Sequence, residues 1–197
     1  WTNLRGRRLP RAAARPTLDH TAVLQFTSGT TGRPKAAILS HRNLRSNAAQ
    51  SVAWVPDLEL GREVFYGVLP LFHAYGLTTA LSIGARIVLF PTFEVGMTLD
   101  AIRRTPPTFL PAVPPIYDAL ARATVRAGID MSSLRNAISG AMALPASTVL
   151  RWEEATGGIL VEGYGMTESS PISLGNPMGP RRRSGTVGGP FPSTEIR

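Results

Sequence analysis

Short apolar segments alternate with longer amphipathic segments along most of the chain. The short segments are rich in β-branched and aromatic residues. They predict buried strands at 21–26, 36–39, 64–69, 85–90, 108–110, 134–139 and 159–161, and a further strand that begins at 194. The longer segments predict helices at 41–54, 99–104 and 114–127, with others after residues 73 and 145. This alternation indicates an α/β fold, with a mainly parallel, doubly wound sheet and helices on both faces.

Residue types that begin and end helices lie at the expected places. Ser40 precedes the first predicted helix as an N-cap, and Pro56 lies just beyond the end of that helix. Gly84 is expected to stop the helix before the strand at 85–90, and Pro114 occupies a first helical turn. In a doubly wound sheet, ligands bind beyond the carboxyl ends of the strands, so the residues that follow each strand are candidates for a site.

The stretch from Thr27 to Lys35 carries the strongest chemical signal. It reads TSGTTGRPK and joins two apolar segments, which predicts the tip of a strand–loop–strand hairpin. Glycines let backbone N–H groups converge on an anion, hydroxyls add donors, and a lysine adds a mobile positive charge. The Walker A pattern is excluded, because its lysine follows a glycine and its loop opens a helix. The residues predicted to bind phosphate are Thr27, Ser28, Gly29, Thr30, Thr31, Gly32 and Lys35.

Composition narrows the functional classes. With 43% hydrophobic and 17% charged residues, the chain has the make-up of a globular domain. No apolar run approaches the roughly 20 residues of a membrane-spanning helix. The absence of cysteine excludes disulfides, thiolate catalysis and cysteine-ligated zinc, and it is compatible with the cytoplasm.

The net charge of +8 comes almost wholly from arginine, because Lys35 is the only lysine in the sequence. We interpret that lysine as a position that needs a compact point charge. Basic charge also raises nucleic-acid binding as a hypothesis. The one tight cluster, residues 181–183, lacks interleaved aromatic residues and any recognised binding module. We therefore expect no nucleic-acid partner and interpret the cluster as a solvated loop.

Two blocks after predicted strands suit the edge of a pocket. In the first, PLFHAYGL at 70–77, His73 lies among aromatic residues. A neutral imidazole there can donate to a carboxylate or phosphoryl oxygen while the rings line an apolar slot. In the second, SGAMAL at 139–144, small residues allow a planar base to lie close to the backbone.

A third block, EGYGMTE at 162–168, combines three chemical functions. Tyr164 lies between two glycines and can expose its ring for stacking on a base. The hydroxyl of Thr167 can donate to a phosphate, and the carboxylate of Glu168 is a hard oxygen ligand suited to Mg²⁺. The block therefore predicts a nucleotide and metal site at the end of a strand.

These blocks together resemble the adenylate-forming superfamily, which comprises acyl-CoA synthetases, peptide-synthetase adenylation domains and luciferases. Residues 27–36 are similar to the motif TSGTTGxPKG, with Ala36 in place of the last glycine. The block at 70–77 resembles PxFHxxG, and the block at 163–168 matches GYGxTE. Residues 139–144 resemble SGGAPL with Ala141, Met142 and Ala143 as departures, and residues 185–192 resemble the turn GSVGxPxP.

The resemblance implies ATP-dependent activation of a carboxylic acid to an acyl-adenylate, followed by thioester formation with CoA. It is closest to the fatty acyl-CoA synthetases, with ATP, Mg²⁺ and CoA as cosubstrates or cofactors. Lys35, His73 and Thr167 take the catalytic roles, and Glu168 takes the metal. The resemblance adds these residues to the nucleotide site: Gly140, Ala141, Met142, Glu162, Gly163, Tyr164, Gly165 and Thr167. The acyl pocket comprises His73, Tyr75, Met142 and Gly165, with bulk at Met142 expected to shape it.

Several expectations concern the extent of the domain. Residues 1–18 lack periodicity and predict a linker, so a partial AMP-binding domain is expected at 19–197. Trp1 is not an initiator methionine, and the family's later motifs have no counterpart here. We therefore expect a piece of a longer acid–thiol ligase without the C-terminal lid domain.

The alternatives are a non-catalytic nucleotide-binding fragment and an adenylation domain for an aryl or amino acid. The expected location is the cytoplasm, with peripheral attachment to a membrane and formation of a homo-oligomer left open.

Overall fold

The computed structural model describes residues 15–27, 35–70 and 74–197 of the chain. Strands β1 (Thr21–Thr27) and β2 (Lys35–Ser40) form an antiparallel hairpin, as the sequence predicts. Helix α1 (His41–Trp54) follows directly. The hydroxyl of Ser40 accepts a bond from the Asn43 N–H at 3.2 Å, and the Asn43 side chain accepts from the Ser40 N–H at 2.9 Å. This reciprocal cap confirms Ser40 as the start signal of the helix.

The remaining strands form one sheet. They are β3 (Val64–Gly67), β4 (Arg86–Leu89), β5 (Phe109–Ala112), β6 (Asn136–Ser139), β7 (Leu160–Gly165), β8 (Ile172–Gly175) and β9 (Gly189–Pro190). Their order in the described part of the chain is β4-β3-β5-β6-β7-β8-β9. The first five strands in this order are parallel, and β8 and β9 are antiparallel. The predicted α/β class with a mainly parallel sheet is confirmed.

Helices cover both faces of the sheet. They are α2 (Ala74–Ser82), α3 (Val95–Arg104), α4 (Pro114–Ala127) and α5 (Ala146–Thr156). The chain moves outward from β3 to β4 through α2 and back to β5 through α3. Because parallel crossovers are right-handed, this reversal places α2 and α3 on opposite faces. None of the helices in the described ranges has the length and apolar character needed to span a bilayer.

The two faces bury different amounts of apolar surface. The core on the side of α3, α4 and α5 is extensive and includes Tyr117 and Trp152, which pack edge to face. The core on the side of α1 and α2 is smaller and centres on Phe65 and Phe109, whose rings stack with centroids 5.1 Å apart. Alternate residues of the central strands serve the two faces, as Phe65 and Tyr66 do on β3.

Several element boundaries differ from the sequence expectations. Helix α3 begins at Val95 rather than 99, because the Glu94 carboxylate caps it by accepting bonds from two backbone N–H groups. The strand expected from residue 194 is wrong. Those residues are exposed apart from Thr194, whose N–H bonds to the Phe191 carbonyl in a turn at 3.0 Å. Strands predicted at 64–69 and 134–139 are shorter, at Val64–Gly67 and Asn136–Ser139.

A buried carboxylate ties together the amino ends of the central strands. Glu63, which precedes β3, has no exposed surface. Its carboxylate accepts bonds from the Arg135 guanidinium at 2.5 Å, from the Glu59 N–H at 2.7 Å and from the Thr108 hydroxyl. Thr108 and Arg135 precede β5 and β6, so one side chain joins three neighbouring strands. A buried charge with partners on every side is expensive to expose or to leave unpaired.

We expect Glu63→Ala to lower the free energy of unfolding by about 3 kcal/mol, because it leaves buried donors without an acceptor. Glu59→Ala is the matched control, since Glu59 contacts the same guanidinium at 3.5 Å and its side chain is about half exposed. That control should lose less than about 1 kcal/mol. Urea denaturation of both variants measures the difference, and equal losses would contradict a structural role for Glu63.

Candidate active site

A cavity of about 400 Å³ lies at the carboxyl ends of the parallel strands. Residues just beyond β3 and β5 line it, among them Leu69 and Val113. These two strands flank the point at which the chain reverses direction across the sheet. Their connections leave in opposite directions, which opens a crevice where ligands of doubly wound sheets bind. The volume is within the range of small-molecule sites.

The cavity has an apolar body and a polar end. Phe65, Ile87 and Ile138 from the sheet and Leu77 from α2 line the body. The polar end is lined by Gln25 and Thr27 of β1, by Ser139, and by Thr167 after β7, together with the backbone at Gly140. An apolar slot that ends in a few converging polar groups suits an amphipathic ligand.

The turn that carries Thr167 and Glu168 is held tightly between β7 and β8. The Met166 N–H donates to the Pro171 carbonyl at 2.8 Å, and the Ser169 N–H donates to the Met166 carbonyl at 3.0 Å. A side chain at Gly165 would overlap the backbone of Pro171, so glycine is required there for the close approach of the two strands. The Thr167 hydroxyl is therefore presented at the cavity by a rigid turn.

The phosphate-binding hairpin approaches the same turn. Thr27 and Lys35 are paired in the register of β1 and β2, and β2 lies against the turn that carries Thr167. Lys35 is exposed at the loop end of the hairpin. Ala36 lies in the extended strand β2, where a side chain is tolerated, so its departure from the glycine of the motif carries no backbone strain. The loop residues Ser28, Gly29, Thr30, Thr31 and Gly32 lie outside the described residues.

Ser139 at the end of β6 and Glu162 within β7 are paired side by side, and both are buried. Burial raises the pKa of the Glu162 carboxyl, and the one bond from the Leu144 N–H only partly offsets this effect. The Ser139 hydroxyl has no hydrogen-bond partner in the part of the chain that the structure describes. Glu162 is one of the residues that the sequence predicts for the nucleotide site. Ser139 is not, because its hydroxyl is left unpaired by packing between distant segments, which no local pattern indicates.

Other predicted site residues lie at the rim or outside the cavity lining. Tyr164 is 44% exposed, which leaves its ring accessible for stacking, and Met142 is 55% exposed. Neither side chain lines the cavity, whereas Gly140, Ala141, Gly163 and Gly165 do. His73 lies outside the described residues, as does the side chain of Tyr75. The roles assigned to Met142, His73 and Tyr75 stay predictions.

The metal prediction depends on Glu168, an exposed carboxylate beside Thr167. Among the described residues, no three His, Asp or Glu side chains are grouped so that they could hold a metal ion. This donor set fits Mg²⁺, which is commonly bound by one or two carboxylates together with substrate phosphates. It does not fit an ion held by protein ligands alone.

Ala141 has a backbone φ of +64°, in the left-handed region that favours glycine. It is the position at which the motif SGGAPL has glycine and this chain has alanine. The chain therefore carries a side chain at a left-handed position of the turn, and that side chain strains the backbone. Since Ala141 lines the cavity, the strain is located at the site itself.

Known proteins are similar to this chain in sequence and in fold. The family model described as AMP-binding enzyme matches residues 2–197. A long-chain-fatty-acid–CoA ligase of Bacillus subtilis (strain 168) is 39% identical over 178 residues. The match covers 88% of this chain and 32% of that ligase, so the chain spans about a third of the length of this relative.

Two solved structures are similar in fold and sequence. The anthranilate CoA ligase AuaEII in complex with anthranoyl-AMP has a TM-score of 0.81 and 30% identity, and the match covers 91% of this chain and 35% of that one. ATP-bound MatB from Rhodopseudomonas palustris has a TM-score of 0.75 and 33% identity, with 90% and 35% covered.

We expect Ala141→Gly to raise the free energy of unfolding by about 0.5–1 kcal/mol. Relief of the left-handed conformation contributes about 1–2 kcal/mol, which the greater backbone entropy of glycine partly offsets. Ala143→Gly is the control, because Ala143 is also exposed but does not have a positive φ. It should lose about 0.5–1 kcal/mol. If both glycine variants were less stable than the parent in thermal unfolding, Ala141 would not be strained.

Proposed function

The chain belongs to the family of AMP-binding enzymes, and on that premise we propose that it is the nucleotide- and acyl-binding core of an acid–thiol ligase. The ligase activates a carboxylic acid with ATP to an acyl-adenylate and then transfers the acyl group to CoA. The observation that carries the proposal is the cavity described above, in which an apolar body opens onto Thr27, Thr167 and the strand ends. The full activity belongs to a protein about three times longer, as in the relative that the chain matches.

In the first step, a carboxylate oxygen attacks the α-phosphorus of ATP and pyrophosphate leaves. The protein's contribution is to position the two substrates and to neutralise charge on the phosphorus. Thr167, held by its turn, donates a hydrogen bond to an α-phosphoryl oxygen. Lys35, beside Thr27, provides positive charge to the departing phosphates. The Glu168 carboxylate would hold Mg²⁺ together with the substrate phosphates, and the ion would supply positive charge that offsets the charge of those phosphates.

The nucleotide base lies at the rim in this proposal, stacked on the exposed ring of Tyr164. Gly163 and Gly165 keep the backbone open on either side of that ring. Glu162, with spare acceptor capacity, faces donors of the base. In the second step, the thiol of CoA attacks the acyl carbonyl and AMP leaves. The domain division of the sequence analysis, a linker at 1–18 and the binding domain from 19, is part of the proposal.

The acid is proposed to be a fatty acid, because the body of the cavity is apolar. An aryl acid is the second candidate, supported by the likeness to the anthranilate CoA ligase. A third candidate is a nucleotide-binding fragment without activity of its own, supported by the share of its relatives that the chain spans. A cytoplasmic location stays a prediction, and peripheral attachment to a membrane and assembly into a homo-oligomer stay open.

Carboxylate-dependent exchange of labelled pyrophosphate into ATP tests the proposal. The exchange should be measured on this chain and on the longer protein encoded by the full open reading frame. The acids to test are acetate, benzoate and fatty acids of increasing length. We expect exchange with a long-chain acid in the longer protein. If ATP binds but neither protein shows exchange with any acid, the ligase proposal fails and the fragment hypothesis replaces it.

Thr167→Val tests the site within the longer protein. Loss of the hydroxyl should lower the exchange rate about 100-fold, which is typical of removing one donor to a developing charge. Thermal unfolding, followed in parallel, separates a catalytic defect from a folding defect. An exchange rate within about twofold of the parent would remove Thr167 from the mechanism, because a lost donor has a far larger effect.

Thr124→Val is the matched control for this substitution. Thr124 is buried on α4, where its hydroxyl donates to the Leu120 carbonyl at 2.9 Å, and it does not line the cavity. The control therefore loses a hydroxyl of the same kind in a part of the fold that does not contact the substrates. We expect it to lower the free energy of unfolding by about 1 kcal/mol and to leave the exchange rate unchanged.

A further inference from the structure

Two glycines, which have no side chains to fill the space, border the far end of the cavity. Gly67 is the last residue of β3, and Gly76 lies in α2, which packs over that strand. Both glycines line the cavity. A Cβ at Gly76 would lie 3.5 Å from the Phe65 ring, and a Cβ at Gly67 would lie 3.3 Å from the end of Leu89. The two positions therefore border the same cavity, Gly67 from the strand and Gly76 from the helix.

The neighbouring residues show that this space is part of the inner face of the sheet. Phe65 and Gly67 are two residues apart and point to the same side of β3. In the register of β3 and β4, Phe65 is paired with Ile87, and Gly67 is paired with Leu89. On this face the core is small, whereas on the opposite face it is extensive. Larger residues at 67 and 76 would have extended the small core into this space.

The cavity also has a direction. Its polar end is at Thr167, after β7, and its apolar end reaches Ile87 on β4. Four strand-to-strand steps separate β7 from β4 in the sheet. At about 4.8 Å per step, the path across the strands is roughly 19 Å. That length is far greater than a short or single-ring acid needs, and an extended alkyl chain would fill it.

We propose that the alkyl chain of the acid lies across the strands, from β7 toward β4, and that Gly67 and Gly76 set the longest chain accepted. The inference rests on the proposed ligase function, and it assigns the limit on the length of the fatty acid to these two positions. It transfers control of chain length from Met142, whose side chain lies outside the lining, to the far wall.

A substitution at Gly76 distinguishes a narrowed cavity from a folding defect, because alanine at this position is not expected to lower stability. Its φ is not in the left-handed region, and the added methyl of alanine makes only an ordinary van der Waals contact with Phe65. Alanine also has the higher helix propensity. Gly76→Ala should therefore be at least as stable as the parent while it narrows the cavity. Gly76→Leu should fill the far end.

The variants are made in the uninterrupted reading frame, and pyrophosphate exchange is measured with butanoate, octanoate, dodecanoate and hexadecanoate. For hexadecanoate we expect kcat/KM to fall about tenfold in Gly76→Ala and further in Gly76→Leu, the size typical of one methylene in a pocket. For butanoate we expect a change below about twofold. Gly179→Ala is the control, since a Cβ there meets nothing within 4 Å and Gly179 does not line the cavity.

A binding measurement gives a readout that does not need catalysis. The fluorescent fatty acid cis-parinaric acid is titrated into the parent and into Gly76→Leu, and hexadecanoate is used to displace it. We expect affinity to fall about tenfold in the variant. Thermal unfolding is followed in parallel to confirm that each variant is folded.

The outcomes separate the two proposals. No exchange by the parent with any acid would remove the ligase function, and the inference with it. Exchange by the parent with an unchanged chain-length profile in Gly76→Leu would overturn the inference alone. An equal loss of kcat/KM for butanoate and hexadecanoate would also overturn it, because a shallower cavity should affect only the longer acid.

Discussion

The reversal of the chain between β3 and β5 is the constraint on which the rest of the structure depends. One connection runs outward to β4 and the next runs back across the sheet. Because both crossovers are right-handed, the helices separate to opposite faces, and a crevice opens at the strand ends between them. Every described element of the site is arranged around that crevice. The hairpin of β1 and β2 lies against the turn after β7, and Thr27 and Thr167 from these two elements line the cavity together.

Much of this arrangement could be predicted from the sequence, because its signals are local. Strand and helix positions follow from periodicity, and Ser40 caps α1 as its residue type indicates. What could not be predicted depends on contacts between distant segments. Glu63 bonds to Arg135 across 72 positions, and no local pattern near either residue indicates the pair. The space at Gly67 becomes visible only when α2 is packed over β3 and Leu89 is placed beside it.

The two faces of the sheet show how an apolar protein interior can become a binding site. The face with α4 and α5 carries Tyr117 and Trp152 in close contact and leaves little space. The other face has glycine on β3 and on α2, so the helix packs over the sheet without filling the gap. An apolar cavity lowers stability, because its lining loses dispersion contacts. The large core on the first face supplies stability that the second face lacks. Backbone strain at Ala141 lowers the stability further, and the large core offsets this loss as well.

Two buried glutamates show the same division between a stabilising part and a binding part of the sheet. Glu63 lies at the amino ends of the strands, and Glu162 lies toward their carboxyl ends. Glu63 at the amino edge has donors from Arg135, Thr108 and the backbone, so its charge is compensated within the protein. Glu162 at the carboxyl edge receives one backbone bond, and burial raises its pKa. An incoming donor would favour the ionised form of Glu162 and lower that pKa. The Glu63 carboxylate already accepts three bonds within the protein. The buried carboxylate at the amino ends of the strands is therefore paired within the protein. The one toward the carboxyl ends, where the ligand is proposed to bind, has acceptor positions left for a ligand.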